Sequence, residues 1–115
     1  MNPEDEKIVT LARGARLRAY VPHMGIQEGA AVRDADGRTY AAATVEHSDP
    51  ALTTSALRGA VAAAASSGAR AFEAAALVTD ALVSDADLAV LREFGVGTPL
   101  IVVATDGSLR ETRYV

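Results

Sequence analysis

The chain has no cysteine and no tryptophan, and its aromatic residues are limited to two phenylalanines and three tyrosines. Without cysteine it has neither a disulfide framework nor a thiolate metal site. A core with so few aromatic side chains must be built from valine, leucine, isoleucine and closely approaching alanine and glycine backbones. Half of the 115 residues are apolar, which predicts one packed domain over residues 1–115 and leaves no room for a second.

Long apolar segments are also absent. The longest runs, at residues 60–65 and 74–78, are far shorter than the roughly 20 residues that cross a bilayer. The first six residues include three acidic side chains, whereas a secretory signal has a basic start followed by an apolar stretch. We therefore expect a cytoplasmic protein without a membrane span.

An excess of positive charge is missing as well, since the formal net charge is -4. This balance argues against general nucleic-acid binding, because contacts to a phosphate backbone depend on lysine and arginine. One local basic run departs from it, formed by Lys7, Arg13, Arg16 and Arg18. The run could contact RNA or an acidic protein, or it could be an ordinary solvated helix face, and charge alone leaves both interpretations open.

A helix is predicted to begin at Asn2, which is a suitable N-cap and is followed by Pro3 at the first helical position and by an acidic first turn. Apolar residues then recur at helical spacing, at Ile8, Leu11, Ala12, Ala15 and Ala19. Pro22 and Gly25 end this pattern.

The remaining chain alternates strand and helix signals. Strands are predicted at 27–32 and 39–45 around an Asp-Gly turn, at the apolar runs 71–78 and 99–104, and at 109–114 after a second Asp-Gly turn. Helices are predicted from Thr53 or Thr54 to Ser67, ended by Gly68, and over 86–94. The order αββαβαββ predicts an α/β protein, a three-layer α/β/α sandwich with a mixed five-stranded sheet.

Several short blocks resemble the cytidine deaminase family in both order and spacing. They are Ala19-Tyr20-Val21-Pro22-His23, Gly29-Ala30-Ala31, Asp36-Gly37, Thr44-Val45-Glu46-His47, Ser55-Ala56-Leu57-Arg58 and Leu91-Arg92-Glu93-Phe94. The resemblance covers nearly the whole chain and implies the cytidine deaminase-like fold, whose element order is the one predicted above.

The resemblance also identifies where zinc chemistry would be located. Zinc-dependent deamination needs three protein ligands, an open position for water and a carboxylate that moves protons. The family's first ligand and its glutamate correspond to Ser55 and Leu57, and the two cysteines that open its third helix correspond to Ser84 and Asp87. A neutral hydroxyl is a poor zinc ligand and leucine carries no proton, so we predict no zinc site, no cofactor and no catalytic residues.

Leu57 is expected to point toward that vestigial site and to make its pocket smaller and drier. Ser55 is expected in the first turn of the second helix, and Ser84 or Asp85 as the cap of the third. A different metal group, from His23, His47 and Asp87, is conceivable, but two surface histidines and an aspartate near a helix start require no metal. No Gly-x-Ser-x-Gly turn and no phosphate loop occur.

Ligand binding is a separate question. In the family an asparagine and a glutamate hold the sugar hydroxyls of a nucleoside; here their counterparts are Thr44 and Glu46, and Ile26 stands at the aromatic position before Gly29. Of the two residues that contact the sugar in the family, the resemblance therefore implies that only the glutamate is kept. The candidate ligand-binding residues are Ile26, Thr44 and Glu46. A lone glutamate at a strand end can equally be a solvated charge.

The second helix is rich in small residues on more than one side, including Gly59, Ala62 and Ala63. Small side chains allow close backbone approach, and the resemblance implies oligomers with this helix near the subunit contact. We expect a homo-oligomer, either dimer or tetramer.

Together these patterns predict a catalytically inactive cytidine deaminase-like protein that acts through self-association and partner binding or regulation. Two alternatives stay open: a nucleoside-binding module, and a nucleoside deaminase-type hydrolase with a non-standard site.

Overall fold

The computed structural model describes residues 1–115 as one α/β unit. The elements, in chain order, are α1 (Pro3–Arg16), β1 (Gly29–Asp34), β2 (Thr39–Ala43), a short 3-10 turn (Pro50–Leu52), α2 (Ala56–Ser66), β3 (Phe72–Val78), α3 (Asp85–Arg92), β4 (Pro99–Val103) and β5 (Leu109–Tyr114). The predicted order αββαβαββ is confirmed, and the boundaries differ from the sequence prediction by only a few residues.

The five strands form one mixed sheet in the order β2-β1-β3-β4-β5. Only the central pair β3 and β4 is parallel, with α3 in the crossover between them, and the other neighbours are antiparallel. Helix α1 packs on one face of the sheet, and α2 and α3 pack on the other. This is the predicted three-layer sandwich.

The start of α1 follows from its first residues. The Asn2 side chain accepts a hydrogen bond from the Asp5 amide at 2.8 Å, and Pro3 and the acidic first turn suit the positive end of the helix dipole. The helix ends at Arg16, before the predicted Ala19, and Leu11 is 40% exposed because it lies at the edge of the buried stripe. None of the three helices is long and apolar enough to cross a membrane.

The β1–β2 hairpin is closed by a buried carboxylate. Asp34 accepts hydrogen bonds from the amides of Asp36 and Arg38 at 3.0 and 2.9 Å, and Gly37 takes the left-handed φ of 84° that the turn requires. The first strand is therefore shifted two residues toward the turn from the predicted 27–32. Residues 27 and 28 instead form the lead-in to the sheet.

The sheet separates two cores of unequal size. The larger core, below α2 and α3, contains sixteen buried residues, and the smaller one, below α1, contains eight. Alanine contributes heavily to both, which confirms that small side chains and close backbones replace aromatic bulk.

Gly29 sets how closely α1 approaches the sheet. A Cβ atom at this position would lie 2.5 Å from the Arg16 amide nitrogen and would also overlap the Ala12 carbonyl oxygen. Both obstructing groups are helix backbone, so neither can rotate away. The helix packs directly on the glycine backbone of β1.

We expect Gly29→Ala to lower the free energy of unfolding by about 3 kcal/mol or more, because α1 must move off the sheet to admit the methyl group. Gly14→Ala is the matched control: its Cβ would meet nothing within 4 Å, and alanine there should raise stability by up to about 1 kcal/mol. Urea denaturation of the two variants beside the wild type measures both changes. A Gly29→Ala protein as stable as the wild type would show that this contact does not limit the packing.

Candidate functional site

A pocket of about 300 Å³ opens between the N-terminal ends of α2 and α3 and the start of β1. Seven of its ten lining residues are polar or charged, although apolar atoms provide more of its exposed surface than polar atoms do. The lining residues are Ile26, Glu28, Thr44, Pro50, Thr53, Ser55, Arg58, Ser84, Ala86 and Asp87. The pocket thus gathers, from four separate parts of the chain, most of the positions to which the sequence pointed.

Both helices present an N-cap serine to this pocket. The Ser55 hydroxyl accepts a hydrogen bond from the Arg58 amide at 3.2 Å, and the Ser84 hydroxyl accepts one from the Asp87 amide at 3.1 Å. Ser55, rather than the expected Thr53 or Thr54, is the cap of α2, because its extended backbone lets the side chain fold back onto the first turn. Ser84 is one of the two caps predicted for α3.

A short hydrogen bond joins the two helix starts. The Ser55 hydroxyl donates to the Asp87 Oδ1 atom at 2.6 Å, and Asp87 is only 4% exposed. Two helix N-termini meet near this carboxylate, and their dipoles favour its negative charge. Ser55, Ser84 and Asp87 therefore form one connected polar cluster, as their shared correspondence to a ligand set implied.

Leu57 is located elsewhere. Its side chain is fully buried in the larger core, together with Leu88 and Leu91, and it is not among the residues that line the pocket. The expectation that Leu57 would fill part of the pocket is wrong, since Leu57 does not line it.

Glu28 is a pocket residue that the sequence analysis missed. It shares the strand parity of Ala30 and Val32, which belong to the core below α2 and α3, so its side chain lies on the same face. Its backbone amide donates to the Thr44 hydroxyl at 3.1 Å, which fixes its position. The alternation of side chains along β1 could have identified Glu28 from the sequence. It places a carboxylate on the buried face of the strand, and a buried carboxylate is unfavourable unless it has a specific role.

Burial raises the pKa of the Glu28 carboxyl above its usual range. The Thr79 hydroxyl partly offsets this effect, and the negative charge of Asp87 adds to it. The charge of Asp87 therefore reaches Glu28 across the pocket.

Only two of the three candidate ligand-binding residues line the pocket. Ile26 and Thr44 line the pocket, but Glu46 does not. The Glu46 carboxylate accepts a hydrogen bond from the His23 amide at 2.6 Å and contacts Gly25. It therefore holds the loop after α1, where Met24 adopts a positive φ of 68°, and this role leaves it turned away from the pocket.

The two histidines do not join Asp87. The His23 ring lies 3.3 Å from the Ser48 hydroxyl in an exposed loop, and neither histidine lines the pocket. No group of three or more histidine, cysteine, aspartate or glutamate side chains is arranged to hold a metal ion. The alternative metal group considered from the sequence is not assembled.

We expect Glu28→Gln to raise the free energy of unfolding at pH 7. The folded-state pKa of Glu28 is raised, so the wild type loses stability as pH rises from about 4.5 through that folded-state value, and glutamine removes the loss. The gain should shrink as the pH falls to 4. Urea denaturation between pH 4 and 8 measures it, with Glu93→Gln, an exposed side chain after α3, as the control for the loss of one carboxylate. A gain independent of pH would contradict this account.

Comparison with known proteins agrees with the fold and the blocks described above. A family model described as cytidine deaminase-like matches residues 1–107. A cytidine deaminase of Sporosarcina psychrophila is 39% identical over 75 residues. That match covers 65% of this chain and 55% of the relative, so the matched part of the chain spans about half of that protein's length.

Solved structures resemble the chain over almost its full length. The crystal structure of a cytidine deaminase from Burkholderia pseudomallei matches 99% of this chain and 93% of its own with a TM-score of 0.88 and 26% identity. The cytidine deaminase from Mycobacterium tuberculosis matches 96% and 91% with a TM-score of 0.78 and 26% identity. On the family match, the fold and the order of its sequence blocks, this chain belongs to the cytidine deaminase-like family.

Proposed function

We propose that this chain is a catalytically inactive member of the cytidine deaminase-like family and acts through self-association and partner binding. The observation that carries the proposal is the hydrogen bond of 2.6 Å between Ser55 and Asp87, which joins two positions that correspond to zinc ligands in the family. The relatives are named as cytidine deaminases. For this chain to deaminate cytidine it would need a zinc site, and these residues do not supply the ligands for one.

The chemistry of the donor set does not fit zinc. Protein zinc sites are built from thiolates, imidazoles and carboxylates, and this cluster offers two hydroxyls and one carboxylate. Both serine hydroxyls already accept a hydrogen bond from a helix amide, and the Ser55 hydroxyl also donates one to Asp87. The position of the family's proton-carrying glutamate is Leu57, which is buried in the core. The proposal therefore includes no step through a metal.

Self-association is supported by the outer side of α2. A groove between α2 and α3 is lined mainly by apolar residues, Val61, Ala62, Ala65, Val90 and Phe94, with Thr54 and Arg58 at its rim. Ala62 of this groove is exposed, and Ala63 is exposed on the neighbouring side of α2. A second copy of the chain is the occupant that we propose for this face.

Gly59, which the sequence analysis grouped with that face, has an internal explanation. A Cβ atom there would lie 3.0 Å from the Cβ of Ala42, so the glycine allows α2 to pack on β2. Its substitution would report on packing within one chain, and the assembly test therefore uses Ala63.

A second candidate function, binding of a nucleoside without turnover, is favoured by the pocket itself. Its volume of about 300 Å³ lies at the lower end of small-molecule sites, which span roughly 300–1,000 Å³. Ile26 supplies an apolar wall and Thr44 a hydroxyl. Because Glu46 is bonded to the loop after α1, the sugar contact implied by the resemblance is weaker than the sequence indicated.

We expect wild-type protein purified without chelator to contain no stoichiometric zinc and to release no ammonia from cytidine. Leu57→Glu alone should not change either result, because the ligands for water activation are still missing. A combined variant, Ser55→Cys, Leu57→Glu, Ser84→Cys and Asp87→Cys, is the positive control for zinc binding by this backbone. Elemental analysis and a cytidine deamination assay measure both properties, and zinc with turnover in the wild type would overturn the proposal.

The assembly is tested by Ala63→Trp. If α2 forms a subunit contact, a bulky side chain should overpack it at a cost of about 1 to 3 kcal/mol and weaken association about tenfold or more. Ala89→Trp, on the exposed side of α3, is the matched control and should assemble as the wild type does. Size exclusion with light scattering at micromolar concentration gives the molar masses. A monomeric wild type, or an Ala63→Trp protein that assembles normally, would contradict a contact through α2.

A further inference from the structure

A second concave surface lies on the opposite face of the sheet, beside the C-terminal half of α1. This cleft of about 310 Å³ is lined by Thr10, Arg13, Gly14, Arg16, Leu17, Val78 and Thr105. Val78 ends β3 and Thr105 follows β4, so the cleft is at the carboxyl ends of the two parallel strands, an edge where open α/β sheets bind ligands. It shares no residue with the pocket at Ser55 and Asp87. We refer to it as the α1 cleft.

Two arginines supply the charge of the α1 cleft. Arg13 lies against the turn at Gly107, and neither Arg13 nor Arg16 forms an ion pair within 4.0 Å. The Arg16 Nε atom donates to the Gln27 carbonyl oxygen at 3.1 Å, which fixes the side chain and leaves its two terminal nitrogens without a protein acceptor. Two guanidinium groups with unused donors therefore line one concavity.

Gly14 gives independent support for a binding role of the α1 cleft. It lies within α1, where glycine is less favourable than alanine, yet a Cβ atom there would meet nothing within 4 Å. Packing therefore gives no reason for a glycine. Gly14 does line the α1 cleft, and a side chain at this position would take up part of its space.

Two aspartates near the cleft, Asp80 and Asp106, carry the opposite charge, and both accept hydrogen bonds from neighbouring hydroxyl and amide groups. The Asp80 carboxylate accepts hydrogen bonds from the Thr105 amide and hydroxyl at 2.9 and 2.6 Å, and these bonds lower its pKa more than the charge of Arg16 does. The Ser108 amide and hydroxyl both donate to the Oδ1 atom of Asp106, with Arg13 a smaller influence on the lowered pKa of this carboxyl. Neither aspartate forms an ion pair with Arg13 or Arg16, so the arginines keep free donors toward the cleft.

We propose that the α1 cleft binds the phosphate group of a small phosphorylated ligand, held by the guanidinium groups of Arg13 and Arg16 and by the Thr10 hydroxyl. Guanidinium forks match the paired oxygens of a phosphate, and charge-assisted hydrogen bonds of this kind are the strong ones. The proposal concerns a different face of the molecule and does not depend on the loss of zinc chemistry.

Calorimetric titration at low salt tests the proposal, with ribose 5-phosphate as the probe and ribose and acetate as the comparison ligands. Ribose 5-phosphate should bind, and both comparison ligands should bind at least about tenfold more weakly. Arg13→Gln and Arg16→Gln should each weaken binding about tenfold or more, because each removes charged donors. Arg92→Gln, an exposed arginine at the end of α3, is the matched control and should bind as the wild type does.

Gly14→Ala separates a binding role from a structural one. A better helix former should raise the melting temperature by about 2–4 °C, and the added methyl group should still weaken ribose 5-phosphate binding. The proposal is overturned if the wild type does not bind ribose 5-phosphate, if acetate binds equally well, or if Arg92→Gln weakens binding as much as Arg13→Gln. Unchanged binding of ribose 5-phosphate by Arg13→Gln and Arg16→Gln would overturn it as well.

Discussion

Close approach of helices to the sheet is the constraint on which the rest of this structure depends. With few aromatic residues, the chain fills its two cores by bringing backbones together, and Gly29 and Gly59 lie at such close contacts on the two faces. On one face α1 packs on the backbone of β1, and on the other α2 packs on Ala42 of β2. Both ligand-sized concavities lie at the ends of these tightly packed helices.

At the pocket, this geometry brings two helix N-termini together. Each is capped by a serine, and the buried carboxylate of Asp87 connects them through Ser55. The helix dipoles stabilise the charge, and the bond satisfies groups that would otherwise be costly to bury. The positions that the resemblance assigns to a metal centre therefore form a hydrogen-bonded cluster beside the pocket. This cluster supports the proposal of a function in recognition.

The sequence predicted the order of the elements because apolar periodicity and turn residues are local signals. Strand β5, for example, is exposed along its whole length, yet the Asp-Gly turn before it and the apolar β4 were sufficient to place it. Side-chain direction was harder to predict. Thr53, Thr54 and Ser55 are all residue types that cap helices, and the backbone conformation decides among them. Three features depend on distances between elements that are far apart in sequence. They are the burial of Leu57, the hydrogen bond between Glu46 and His23, and the packing of Gly59 on Ala42.

Anomalous diffraction at the zinc edge, from crystals grown with excess zinc, tests the central claim most directly. The account predicts no anomalous peak among Ser55, Ser84 and Asp87, and an intact contact between the Ser55 hydroxyl and Asp87 close to 2.6 Å. A fully occupied peak about 2.0–2.2 Å from the Asp87 carboxylate, with the bond to Ser55 broken, would contradict it and would restore a metal centre to this pocket.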